Sequence, residues 1–400
     1  MKWRMFICAI CFLIGGCSLN IPLEDQFSDP DAITDVLSAR SLLASAYKAM
    51  PQQIFQLSVL SDDFCPSQHL NKDMSLQGLY NWREVEMTEL AGTLWAGYYA
   101  VIAEVNALLA RIDAVVTLDE TEKLEKMRIV CEAKALKSWC YFDLLRLFAP
   151  RYEGNENKDG IILKKRVELD FLPRSSVKEC VTEIRTLLNE ARNVDNTQKN
   201  VYWLSDKAVA YLQVELELYA GNYPAVLELT KDLETEYPES VLGADVYKYL
   251  WSSENSDARI FGKYQLEQIY MDIRFDTFEK GDYLVLSQNV DYEEEDIRKE
   301  WSEIPFVMPD AKNVRLLGKY NKMNRDKVAS KYVNVARAAG MWLMRVEALA
   351  RSGKEGDAVA LANRMLKQRG ATEWSTNIAG NELISKILIE RQKEYVGEGI

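Results

Sequence analysis

Ala336–Arg351 (ARAAGMWLMRVEALAR), Ser352-Gly353-Lys354 and Glu355–Lys367 (EGDAVALANRMLK) together decide how the chain is to be read. Apolar and small residues return every three or four positions on both sides of a three-residue break, which is the period of a helix face. Glycine in so short a connection permits the left-handed backbone that ends one helix and turns the chain into the next. Asp206–Tyr219 and Ala225–Glu236 repeat this arrangement around Gly221-Asn222-Tyr223-Pro224 and stop at Pro238. Two helical hairpins are therefore expected, one in the middle of the chain and one near its end.

Working outward, the same period recurs. A helix is expected through Ala39–Met50, and a second carries Leu94, Tyr98, Ile102, Val105, Leu109 and Ile112 on one face. A third has Ala133, Leu136, Cys140, Leu144 and Phe148 and halts at Pro150. A fourth opens after Pro173-Arg174-Ser175-Ser176 with Ser175 as its N-cap and groups Val181, Ile184 and Leu188. The last, Glu382–Val396, aligns Leu383, Ile387, Arg391 and Tyr395. Helix pairs of about 30 residues with small residues at the crossing resemble degenerate tetratricopeptide repeats. The expected fold is mainly all-α, a scaffold of such hairpins with a loop-rich ligand region and few short strands. Residues 36–240 and 336–400 would form the helical parts of one domain, and 241–335 the loop-rich insert. That insert is rich in Tyr, Trp and acids, with short apolar runs at Arg259–Tyr264 and Tyr283–Leu286. Loops held on a rigid frame often carry ligand contacts.

The N-terminus names a destination. Lys2 and Arg4 form a basic n-region, Met5–Ile14 an apolar h-region, and Leu13-Ile14-Gly15-Gly16-Cys17 follows. That apolar run is too short to span a bilayer, which needs about 20 residues. Two glycines before a cysteine are similar to a bacterial lipobox, so 1–16 reads as a signal peptide and Cys17 as the lipidated residue. Acyl chains there would tether the protein to membrane through the polar stretch 17–35.

Composition narrows the chemistry. Lys and Arg number 49 against 61 Asp and Glu, and removing Lys2 and Arg4 leaves 47 against 61, a net charge of −14. Nucleic acid is excluded as a partner on that balance, since phosphate binding relies on clustered cations. Cys65, Cys131, Cys140 and Cys180 remain after the signal and Cys17, without CxxC spacing, so no zinc site is expected. Cys131 and Cys140, about 13 Å apart along one helix, read as free thiols. The single histidine, His69, has no Gly-x-Ser-x-Gly, HExxH or phosphate loop to work with. No metal, cofactor or catalytic constellation is expected. Asp62-Asp63 is the most suggestive acid pair for glycoside hydrolysis, but adjacent loop acids usually form a turn or cap. Glu132, Glu347 and Glu390 are expected to pair with Lys or Arg within helices, and Glu293-Glu294-Glu295-Asp296 to be a solvated face.

Several fragments, in this order, resemble the SusD/RagB family of Bacteroidetes outer-membrane lipoproteins. Trp95, Tyr99, Ile102 and Asn106 are similar to its W-Y-I-x-x-x-N helix. Glu132-Ala133-Lys134-Ala135-Leu136 with Tyr141-Phe142-Asp143-Leu144-Leu145 resembles its "EAk-L-A-yF-L" helix, and Pro173-Arg174-Ser175-Ser176-Val177 the entry to the next. Glu347-Ala348, Gly353, Ala358, Asn363 and Arg369-Gly370 resemble "AEA-G-A-N-R-RG", and Glu390-Arg391, Glu394 and Glu398-Gly399 the closing "ER-E-EG". Family members continue past that point with an "R-DL-R" segment, whereas this sequence ends at Ile400. Their surface-exported members carry acids directly after the lipid cysteine; here Ser18-Leu19-Asn20 follows and acids arrive at Glu24-Asp25.

The resemblance implies a role: a lid that captures glycans, or peptides in some branches, for a TonB-dependent (SusC-like) β-barrel transporter at the outer-membrane surface. A surface glycoside hydrolase and a non-catalytic helical scaffold are the alternatives. Glycan capture asks for flat aromatic faces with amides, acids and Arg for hydroxyls. Asp62, Asp63, His69, Asn81 and Trp82 fall where the resemblance puts ligand contacts, beside Arg83. Trp251, Tyr270, Tyr283, Tyr292, Trp301 and Tyr320 are the further aromatic candidates outside the helix faces, each with packing in the core as its competing role. Trp95, Trp139 and Trp342 are assigned to structure.

Overall fold

The computed structural model describes residues 33–52, 54–66, 74–168, 170–192, 201–252, 254–264, 284–307, 312–322 and 332–399. The first helices are α1 (Val36–Ala49), α2 (Ile54–Leu60), α3 (Met74–Tyr80), α4 (Glu84–Arg111) and α5 (Glu120–Phe148). α1 begins three residues before the expected Ala39. Asp35 accepts from the Ser38 N–H at 2.7 Å while the Ser38 side chain reaches back to the cap, closing a capping box. Along α5, Ala133, Ala135, Leu136, Trp139, Tyr141, Phe142 and Leu144 are buried, so the helix is covered on nearly every side and becomes the central post. It packs on α4, on α1 and on α6 (Val177–Ala191).

The cap of α6 is Ser176, not Ser175. Ser175 still pairs in extended backbone with Ile161, whereas the Ser176 hydroxyl accepts from the Glu179 N–H and the Glu179 carboxylate returns to the Ser176 N–H. Next come α7 (Asp206–Tyr219), as expected, and a partner that breaks in two, α8 (Tyr223–Leu229) and α9 (Leu233–Glu236). The break has a cause. The Arg345 guanidinium takes the Leu227 and Thr230 carbonyls at 3.0 and 2.9 Å, oxygens that a continuous helix would use for its own next turn.

The insert contains the short helix α10 (Ala244–Tyr247), the helix α11 (Ile297–Ser302) and, among the described residues, every strand but one: β1 (Phe64–Pro66), from the N-terminal part, completes a four-stranded antiparallel sheet in the order β1-β3-β5-β4, with β3 (Leu284–Leu286), β4 (Glu303–Val307) and β5 (Asn313–Leu317). β2 (Arg259–Tyr264) pairs antiparallel with β6 (Tyr332–Arg337), Lys263 opposite Val333 and Tyr264 opposite Tyr332. β1 precedes the insert in sequence, so the insert is stitched to the N-terminal helices by backbone pairing.

β6 runs directly into α12 (Ala338–Arg351), so Ala336 and Arg337 belong to a strand where a helix was expected. α13 (Glu355–Arg369) ends at Gly370 in the left-handed region, and α14 is Gly380–Tyr395. Small residues do sit at the crossing: a Cβ on Gly340 would overlap the hydroxyls of Tyr211 and Tyr395, which bond each other at 3.1 Å between α7 and α14. Trp342 is wholly buried and donates to the Tyr237 carbonyl at 3.0 Å. Trp139 is buried too, and Trp95 packs against Tyr99 and Phe148.

Charge is buried at the closing helix. Glu394 accepts from Arg337 and Arg369, both at 2.7 Å, and pairs with Arg298 at 3.3 Å. Glu398 pairs with Lys319 at 2.8 Å and Arg337 at 3.0 Å, while Arg298 also holds Asp296 and Glu390. Four cations meet four carboxylates, and the surrounding cations hold the Glu394 carboxyl well below the usual range. Asp296 is thus buried, as the cap of α11, and only Glu293–Glu295 of that acidic run are exposed. Glu132 pairs with Arg40 and Glu347 with Arg351, as expected of signature-helix acids.

Candidate functional site

A groove of about 490 Å³ opens between α2, the first half of α4, the C-terminal end of α5, the β2–β6 ribbon and the C-terminal segment. Met50, Pro51, Leu57, Leu60, Met87 and Leu147 make its walls apolar, and Asp143, Arg146, Lys263 and Asn334 bring polar groups to it. Such a composition, apolar walls with few polar groups, is that of a ligand site.

Trp82 lines this groove and is 63% exposed. α3 ends through the Trp82 N–H to the Leu79 carbonyl at 3.0 Å and the Arg83 N–H to the Gly78 carbonyl at 2.8 Å. Closing that turn sets Trp82 at φ +54°, a left-handed conformation costly for a bulky side chain. The turn spends that strain and leaves a large indole in water, where burial would have returned about 2 kcal/mol or more. Asn81 beside it is exposed, its amide donating to the Gln77 carbonyl at 2.7 Å, and Arg83 pairs with Glu86.

The two aspartates diverge. Asp62 is exposed at φ +60°, whereas Asp63 is buried and accepts from the Gly397 N–H at 2.9 Å. Burial pushes the Asp63 carboxyl up to about 6. Asp63 serves as a clamp for the C-terminal segment, together with the Ser58 hydroxyl that accepts from the Gly399 N–H at 3.0 Å. The pair does not face one groove as a glycosidase needs.

Of the insert aromatics, Trp251 and Tyr320 are wholly buried, which is the core-packing role that competed with ligand contact in the sequence, and they are not exposed loop rings. Their rings meet edge to face at 5.2 Å, with the Lys319 ammonium 4.7 Å from the Trp251 centroid, so they roof the buried ionic cluster. Tyr292 is buried as well and donates to the Lys393 carbonyl at 2.7 Å. Trp301 is half-buried under Lys322. Cys17, His69, Tyr270 and Tyr283 lie outside the described residues.

One aromatic group escaped the sequence reading. Tyr202, Tyr264 and Tyr332 form a triad with ring centroids 5.8, 5.9 and 6.3 Å apart, and Tyr264 is 42% exposed. Strand alternation was the available signal: Lys263 faces the groove side, so Tyr264 and its cross-strand partner Tyr332 must face the other. Cys131, Cys140 and Cys180 are free thiols, and no cluster of potential metal ligands occurs among the described residues.

Comparison with known proteins follows the same lines. The family model SusD-like_3, described as "Starch-binding associating with outer membrane", matches residues 23–214. No curated protein matches the chain. Among solved structures, a SusD superfamily protein from Bacteroides thetaiotaomicron is similar at TM-score 0.76 and 18% identity, covering 92% of this chain and 87% of that one. A SusD-like carbohydrate binding protein from Bacteroides vulgatus gives TM-score 0.75 and 18% identity, covering 92% and 82%. A SusD superfamily protein from Bacteroides fragilis gives 0.71 and 20%, covering 92% and 89%.

Proposed function

We propose that the chain is a member of the SusD/RagB family, a reading supported by the family match over residues 23–214 and the shared fold, and that it is a lipid-anchored outer-membrane protein that captures oligosaccharide at the cell surface. It hands that ligand to a TonB-dependent β-barrel transporter and catalyses no reaction on it. The observation that carries this reading is Trp82, strained and exposed on an apolar groove. A flat indole stacks on the C–H face of a sugar ring, while Asn81 and Arg83, its neighbours in the chain, carry an amide and a guanidinium that can serve hydroxyls. Cys17 supplies the tether.

The test is binding by the full soluble chain to an oligosaccharide array, then calorimetric titration with the best sugar. Trp82→Ala is expected to weaken that binding about tenfold, with unchanged thermal unfolding. Undiminished binding by that variant would remove the groove from the account. Recovery of a stoichiometric β-barrel transporter with the tagged lipoprotein, from its own membranes in mild detergent, is the expected result for the handover. A lone lipoprotein would contradict it.

A further inference from the structure

The groove holds an ammonium, Lys263, that no carboxylate among the described residues pairs with directly, Asp143 acting on it only from a distance. Lys263 is buried on β2 and lines the groove from below. Its ammonium donates to the Met50 and Pro51 carbonyls at 2.7 and 2.5 Å, the oxygens at the C-terminal end of α1. An ammonium carries three donors. The third has no partner among the described residues, and no carboxylate there forms an ion pair with it. Lys319, buried still more deeply, has Glu398 against it at 2.8 Å. The end of a helix offers partial negative charge only, roughly half a unit. Asp143, the acid nearest in the groove, is already engaged by the Tyr98 hydroxyl at 3.0 Å and by Arg146.

Resting on the sugar-capture reading above, we infer that Lys263 is the receptor for a carboxylate on the captured ligand, so that the groove selects acidic, uronate-bearing oligosaccharides over neutral ones. A carboxylate entering past Trp82 would take the third N–H and supply the missing countercharge at a buried ammonium. A charge-assisted bond is strongest there. The apolar walls add contact for the C–H faces of the ring, and the groove's own acids are engaged elsewhere, Asp143 by Arg146 and Glu398 by Lys319 and Arg337. The protein's overall charge of −14 after signal removal disfavours long polyanions at its surface. Lys263, the groove cation without an ion pair among the described residues, therefore points to a short acidic segment seated in the groove.

Burial brings the Lys263 ammonium down to about 7, so its charge is easily lost unless an anion arrives. The other charged or titratable groups facing it are Asp143, Arg146 and Cys140 from α5, Tyr98 from α4 and Glu398 from the C-terminal segment. Of these, Tyr98 and Cys140 are pushed well above their ordinary values by burial and stay neutral across the range of interest.

The experiment titrates the soluble chain and Lys263→Gln with trigalacturonate, its methyl ester and maltotriose. Glutamine keeps donors for the Met50 and Pro51 carbonyls, so the variant tests charge and not folding; a thermal melt of each protein checks this. Expected is preferential binding of trigalacturonate by the wild type, weakened about 10- to 100-fold by Lys263→Gln. The methyl ester and maltotriose should bind equally to both proteins. Wild-type affinity for the acid should also fall as pH rises above about 7. Equal binding of acid and ester, unchanged by Lys263→Gln, would overturn this inference and leave sugar capture standing. In a parallel arm, trileucine and its C-terminal amide replace the sugars. Lys263-dependent binding of the peptide acid, with no sugar bound, would overturn the sugar reading and this inference with it.

Discussion

Lys319 and Lys263 are two buried lysines in one molecule, and they meet opposite surroundings. Lys319 lies in the cluster under α14, where Glu398, the Glu394 carbonyl and the Trp251 face enclose it. Lys263 lies under the groove with two main-chain carbonyls and open space. Desolvating an ammonium is expensive, and only a well-placed countercharge returns the cost. The first lysine is therefore part of the fold's fastening. The second is a residue whose cost the fold bears without visible return, which is the mark of a binding group. The same contrast separates the aromatics: Trp251 is sealed over the ionic cluster, while Trp82 is held out in a strained turn.

Substitution should sharpen that contrast. Glu394→Gln has the largest expected effect, because Arg298, Arg337 and Arg369 would share a site with one acid fewer. A loss of about 3–5 kcal/mol in urea unfolding is expected. Lys319→Met should follow, at about 2–3 kcal/mol, by leaving Glu398 to Arg337 alone. Lys263→Gln should not destabilise at all, because it removes an ammonium that the fold desolvates without an ion pair. If Lys263→Gln proved as damaging as Lys319→Met, the distinction between fastening and binding cation would collapse.

Titration offers a finer test, with opposite slopes. Native Asp63 keeps its proton up to about 6, whereas an unfolded aspartate loses it near 3.8, so stability should fall as pH rises across that interval. Native Lys263 loses its proton at about 7, and an unfolded lysine only near 10.5, so stability should rise with pH between those values. Glu394, held below its ordinary 4.5, contributes stability above that value, and the contribution is lost as pH falls below it. Melting temperatures across pH for the wild type, Asp63→Asn and Lys263→Gln should show each variant flattening its own limb.

The helices were legible because their pattern is local. Asp206–Tyr219 coincides with α7, and Gly353 turns α12 into α13 at φ +75°. What escaped depended on distant partners. Arg345 splits α8 from α9, and pairing with β2 turns Ala336-Arg337 into strand. Of the residues the sequence offers for ligand contact, Trp82 lies on the groove with Asn81 beside it in the chain, where a turn follows a short apolar helix. Trp251 and Tyr320 carry no local mark of burial, since the charges they cover come from β6, α13 and α14. Lys263 reads in sequence as any strand lysine; its depth comes from the C-terminal end of α1, some 200 positions away.

The most direct measurement is a crystal structure of the protein soaked with the tightest-binding oligosaccharide from the array. The account predicts a sugar ring stacked on Trp82 with its chain entering the groove toward Lys263. A sugar seated instead on Tyr202, Tyr264 and Tyr332, with the groove unchanged, would contradict it.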